Sequence, residues 1–235
     1  MPTATYLKTN RQFDQELCHL KQDLLRMASL AEVAVNKSMV SVTTRNSALA
    51  REVISEDITL NRMELDLEEQ AFRTLALRQP LATDLRLTMA TMRIATELER
   101  IGDQAVNIAE RALELNSYPP LPLPIDLMVM SDRALGMVRT SIDAFVHQDP
   151  KLAIQVCQQD VEVDLLEDEF VQKILACMIM ESRWVTRMHH FLIIVRNLER
   201  IADLATNIAE DIVFLVEGRV IKHQREEWMA VSPQT

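Results

Sequence analysis

Glycine is almost missing from this chain, with three in 235 residues, and aromatic residues supply only 4% of it. Strands draw on aromatic and β-branched side chains, and tight hairpins on glycine, so this composition excludes a sheet protein. No apolar run approaches the roughly 20 residues needed to span a bilayer, and no signal-peptide core follows Met1. The expectation is therefore a cytoplasmic protein. Cysteine is scarce: Cys18, Cys157 and Cys177 are odd in number and widely spaced, which argues against a disulfide framework or a thiolate zinc site and for reduced core thiols. Positive charge is short as well. With 25 Lys and Arg against 35 Asp and Glu the net charge is −10, and a phosphate backbone is gripped by a local excess of Lys and Arg, so nucleic acid is not an expected partner. There is no Walker loop, no glycine-rich phosphate cradle and no nucleophile paired with a base.

What the chain has in abundance is leucine, alanine, methionine, glutamate and arginine, the straight-chain helix formers, within 48% apolar residues. It also repeats itself. Glu99-Arg-Ile-Gly-Asp-Gln-Ala-Val-Asn-Ile-Ala-Glu110 returns as Glu199-Arg-Ile-Ala-Asp-Leu-Ala-Thr-Asn-Ile-Ala-Glu210. Both copies put apolar residues at helical spacing: Leu98, Ile101, Ala105 and Ile108, then Leu198, Ile201, Ala205 and Ile208. The fold class is all-α, built as two similar three-helix bundles.

In chain order, a first long helix runs from Phe13 through Leu24, Ala31 and Met39 and stops near Thr43. A second begins at Ser47 as N-cap and ends at Gln79-Pro80, where proline cannot donate its backbone bond. A third, capped by Thr83 or Asp84, reaches about Leu115. Residues 1–116 form the first bundle. The span 117–124, rich in proline, is the linker, residues 125–218 form the second bundle, and 219–235 are a polar tail. Within the second bundle Asp149-Pro150 restarts a helix that runs to about Met180. The last helix spans about Trp184 to Glu217, with Gly218 as C-cap.

The repeated motif carries chemistry on the side away from its apolar stripe. At about 100° per residue, Glu99, Asp103 and Glu110 share that side, as do Glu199, Asp203 and Glu210. The preceding helices echo the spacing with Asp57-x-x-x-Asn61 and Asp160-x-x-x-Asp164. If the helices are antiparallel and turn at Pro80 and Ser182, positions 59 and 101 lie at one height, and so do 162 and 201. Two groups of oxygen ligands result: Asp57, Asn61, Glu99 and Asp103, then Asp160, Asp164, Glu199 and Asp203. Such sets suit hard or borderline cations. The competing explanation is a solvated face, with Arg100 paired to Asp103, Arg196 to Glu199 and Arg200 to Asp203. Glu16-x-x-His19 has the spacing of a di-iron ligand pair, but no second copy exists. His189 and His190 are adjacent, so at most one of them faces a core. Gly102 and Ala202 mark close helix packing.

Taken together, the doubled Glu-Arg-Ile-Gly/Ala-Asp motif, Arg78-Gln-Pro80 with Asp84-Leu-Arg86, the Asp57 to Asn61 stretch and Gly218 resemble the PhoU family, over nearly the whole chain. The resemblance implies two three-helix bundles in pseudo-twofold relation and a homodimer, with acidic faces that in some members hold iron or zinc. It also implies a non-catalytic adaptor that represses the phosphate regulon. Its partners would be the ATPase subunit of the phosphate ABC transporter and the phosphate-sensing histidine kinase. The neutral Asn61, where the second half has Asp164, predicts a weaker first cluster. The reading from a different class is a metalloprotein using these surface clusters for redox or hydrolytic chemistry.

Overall fold

The computed structural model describes residues 4–221, with side chains from residue 13 onward, and among them there are six α-helices and no strand. The first unit is α1 (Ala4–Thr43), α2 (Ser47–Arg78) and α3 (Ala82–Asn116). The second is α4 (Leu127–His147), α5 (Pro150–Met180) and α6 (Val185–Glu217), with a 3-10 turn at Ser182–Trp184. At 1.5 Å rise per residue, α1 is about 60 Å long. The tail from residue 222 onward lies outside the described residues.

Helix ends follow local chemistry, with two departures from expectation. The cap of α2 is Asn46, not Ser47: its side chain accepts from the amides of Ala48 and Leu49. The start of α3 has no side-chain cap from Thr83 or Asp84, because the helix already begins at Ala82 behind an extended Leu81. Pro80 stops α2 as expected, and Gln79 closes it in the left-handed region with φ 47°. Asp149 caps α5 ahead of Pro150, and Gly218 closes α6 with φ 69°, where a glycine avoids the Cβ clash.

The two units do not hang apart on their linker. Their apolar faces merge into one core, in which Leu24, Met27, Ile94, Leu98, Ile101, Ile108, Leu198 and Ile201 are fully buried. Both copies of the repeated motif lie at its centre, on α3 and α6, which run antiparallel against each other. Arg86 donates to the Leu215 carbonyl at 2.9 Å, Arg93 pairs with Asp211 at 3.1 Å, and Asn207 reaches Glu97 at 3.5 Å. Arg139 of α4 also pairs with Glu32 of α1.

The segment after α6 bears on one expectation. Glu110 is exposed as the periodicity implies, but Glu210 is 8% exposed, in a pocket that it lines with Val220 and Ile221. The thiols also divide: Cys157 is buried, Cys177 half-buried and Cys18 exposed, so Cys18 is not a core thiol. Of the adjacent histidines, His190 is buried and His189 exposed.

Candidate functional site

The antiparallel α2–α3 and α5–α6 pairs bring the acidic motifs together in two grooves, one per unit. In the first, Gly102 lets α2 come close: a Cβ there would lie 2.6 Å from Leu60 Cδ1 and 3.3 Å from Asp57 Oδ1. That approach seats Asp57 beside Asp103 and Glu99. The Asn61 amide donates to Asp57 Oδ2 at 3.1 Å, while Asp57 Oδ1 and Asn61 Oδ1 are buried with no hydrogen-bond partner. Two oxygens shut away from water without a donor are costly. Both belong to residues read as ligands from the sequence.

Electrostatics report the crowding. Burial, then Asp103, Glu64 and Asp57, push the Glu99 carboxyl up to about 7. Burial and the Asp103 charge also raise Asp57, against the Asn61 hydrogen bond. In the second groove Glu199 is pushed up to about 7 by burial, by Asp203, Glu167 and Asp164, and by a hydrogen bond with Asp203. Glu167 is raised in turn, mainly by burial, with Arg196 opposing the rise.

Sequence reasoning missed Glu64 and Glu167. The signal was present, since Asp57-x-x-x-Asn61-x-x-Glu64 and Asp160-x-x-x-Asp164-x-x-Glu167 keep one register in both halves. Asp160 is placed differently from its first-half counterpart. It is 7% exposed, and the Cys157 thiol beside it is pushed up to about 12 by burial, then by the charges of Glu210 and Asp160. The expected pairing of Arg100 with Asp103 gives way to one with Glu97 at 3.5 Å. Glu16 is held by Arg78 through two hydrogen bonds of 2.9 and 2.6 Å, and His19 is exposed, so that pair does not act together as ligands.

The donor set fits a cation in chemistry more than in present geometry. Among the described residues, no three His, Cys, Asp or Glu side chains converge tightly enough to hold one ion. Like-charged carboxylates repel, and a shared proton or a cation makes their close approach favourable. Asp103 and Asp203 are exposed, and Asp203 shares a hydrogen bond with Glu199.

Gly102 gives a direct test of the groove. Gly102→Ala gains up to about 1 kcal/mol of helix propensity but drives a methyl into Leu60, which is only 4% exposed. Overpacking costs about 1–3 kcal/mol, so a net loss of about 1 kcal/mol is expected in urea unfolding. Unchanged or higher stability would show that α2 and α3 are not held this closely.

Among the described residues, no helix is long and apolar enough to cross a membrane. The model of the PhoU domain family matches twice, over residues 24–112 and 127–212, one match in each unit. A phosphate-specific transport system accessory protein PhoU homolog of Caulobacter vibrioides is 36% identical over 225 residues, covering 95% of this chain and 98% of the relative. Its counterpart in Aquifex aeolicus is 38% identical, covering 89% and 95%. The crystal structure of PhoU from Pseudomonas aeruginosa is similar with a TM-score of 0.84 at 34% identity, over 88% of this chain and all of that one. That of the phosphate transport system regulatory protein PhoU from Streptococcus pneumoniae gives 0.82 at 27%, over 89% and 99%. These names describe accessory and regulatory proteins rather than enzymes, and with a doubled domain match and near-complete coverage the chain belongs to the PhoU family.

Proposed function

We propose that this chain is a cytoplasmic accessory protein of phosphate uptake that restrains the phosphate regulon when phosphate is plentiful. It acts as an adaptor, in homodimeric form, between the ATPase subunit of the phosphate ABC transporter and the phosphate-sensing histidine kinase. The observation that carries this reading is family membership along nearly the full chain, with relatives named as accessory proteins of phosphate-specific transport. Two similar faces on one rigid core suit a protein that meets more than one partner. We further propose that the paired grooves take iron or zinc. The ligands are Asp57, Asn61, Glu99 and Asp103 in the first, and Asp160, Asp164, Glu199 and Asp203 in the second. The partnerless buried oxygens of Asp57 and Asn61 favour this.

Deletion of the gene tests the regulatory reading. Phosphate-regulon genes are expected to stay expressed in high phosphate, because the restraint on the kinase is gone, and the wild-type gene in trans should restore repression. Pull-down from the complemented strain should retain both the ATPase and the kinase. Normal repression in the deletion strain would remove this function.

A further inference from the structure

The two halves differ at one point on the α3–α6 seam, and the difference concerns charge. In the first unit Arg100 is neutralised by Glu97 one turn earlier, at 3.5 Å. The corresponding pair in the second unit is Arg200 with Asn197, and Asn197 turns its amide to the Ile193 carbonyl at 2.7 Å. Arg200 therefore lacks the carboxylate one turn earlier that Arg100 has. One position earlier, Thr96 is matched by Arg196. Relative to its counterpart, this patch has lost a carboxylate and gained a guanidinium, in a chain whose net charge is −10.

Both arginines line an open pocket of about 480 Å³ between α3, α5 and α6. Asn107 stands on the α3 side, and Glu167 and Glu199 form the wall towards the acidic groove. Guanidinium groups offer fixed forks of N–H donors that match a tetrahedral oxyanion, and an amide adds a further donor. The carboxylates look wrong for an anion, but they select which one. Hydrogen phosphate carries a P–O–H that can donate to a carboxylate such as Glu167 while its other oxygens accept from arginine. Sulfate has no such proton at neutral pH, so a carboxylate repels it.

We propose that this pocket binds inorganic phosphate, held by Arg196, Arg200 and Asn107 and selected by the Glu167 carboxylate. The inference concerns this chain's own ligand and stands whether or not the adaptor reading does. It would let the protein respond to phosphate directly.

The test is isothermal titration calorimetry at pH 8 on the full chain, stripped with EDTA so that no metal phosphate forms. Saturable binding of inorganic phosphate is expected, with sulfate at least about tenfold weaker. Phenyl phosphate distinguishes the free ion from a phosphorylated group on a partner. With a second pKa of about 6, a monoester has no P–O–H at this pH and is expected to bind more weakly. Arg196→Gln with Arg200→Gln removes two exposed donors without touching the core, and should weaken phosphate by about tenfold or more. Arg100→Gln, the corresponding change in the other half, should leave it unaltered. Asn197→Glu gives Arg200 the carboxylate that Arg100 has, and should weaken binding with both guanidiniums kept. Circular dichroism checks that each variant is folded. Absence of saturable phosphate binding by the wild type overturns the proposal. So does unchanged affinity in the double arginine variant, or sulfate or phenyl phosphate binding as tightly as phosphate.

Discussion

At pH 8 and without metal, the Glu99→Gln, Glu199→Gln protein is expected to unfold about 4–16 °C above wild type, and at pH 4 the two should melt together. Each carboxyl is pushed up to about 7 in the folded state, from an ordinary value of 4.5. In the folded chain the groups hold their protons to higher pH than in the unfolded chain. Their contribution to stability is therefore complete below pH 4.5 and is lost as pH rises through 7. Both lie in grooves partly open to water, so screening reduces the penalty to about 1–2 kcal/mol each. For a chain of this length about 2–4 °C accompanies each kcal/mol, which gives the expected range. Glutamine keeps the shape, and at position 199 it keeps a donor for Asp203. Lowered proton affinity at the buried His190 affects both proteins alike, so the difference between them isolates the carboxylates. Thermal unfolding by circular dichroism across pH 4–8 measures it. A difference independent of pH would mean that these side chains are not crowded.

Much of the architecture could be read from periodicity and punctuation. Pro80, Asp149-Pro150 and Gly218 lie at helix boundaries, because each rests on backbone chemistry that packing does not override. Ser47 and Asn46 are both good caps, and only the geometry of the turn decides between them. The pairing of α2 with α3 was legible from equal distances to the Pro80 turn, and Gly102 against Leu60 and Asp57 agrees with it. The α3–α6 seam was not. Each copy of the motif predicts one buried stripe, whereas α3 is enclosed by α1, α2 and α6, and α6 by α3, α4 and α5. Glu210 is buried beside Val220 and Ile221 of the segment after α6, and Asp160 stands one helical turn from Cys157 on α5. Side-chain partners were least predictable. Arg100 reaches Glu97 at i−3 and Asp103 at i+3 with nearly equal ease along the helix, so spacing does not decide between them, and it is Glu97 that it pairs with.

With zinc, ferrous or manganese ion added, the wild-type midpoint is expected to rise, and the Glu199→Gln, Asp203→Asn protein should show most of that rise removed. A ligand bound only by the folded chain at a hundred times its dissociation constant stabilises by about 2.7 kcal/mol. For a chain of this length that corresponds to about 5–10 °C. Without metal the order reverses, since the variant has shed repelling charges that the wild type still bears. This crossing separates a metal site from a solvated face, where the substitutions would shift both conditions equally. The matching change in the first groove, Glu99→Gln with Asp103→Asn, should cost less of the response, because Asn61 leaves that groove one charge poorer than Asp164 leaves the second. Asp57, Glu99 and Asp103 crowd one another in the first half, and Asp164, Glu167, Glu199 and Asp203 in the second, yet no three acidic groups converge on one point among the described residues. Glu199 and Asp203 already share a hydrogen bond, and a bound ion would take the place of that shared proton. A wild-type midpoint indifferent to all three ions would remove metal from the reading, and the carboxylates would then be a surface for partner proteins on an otherwise unchanged adaptor.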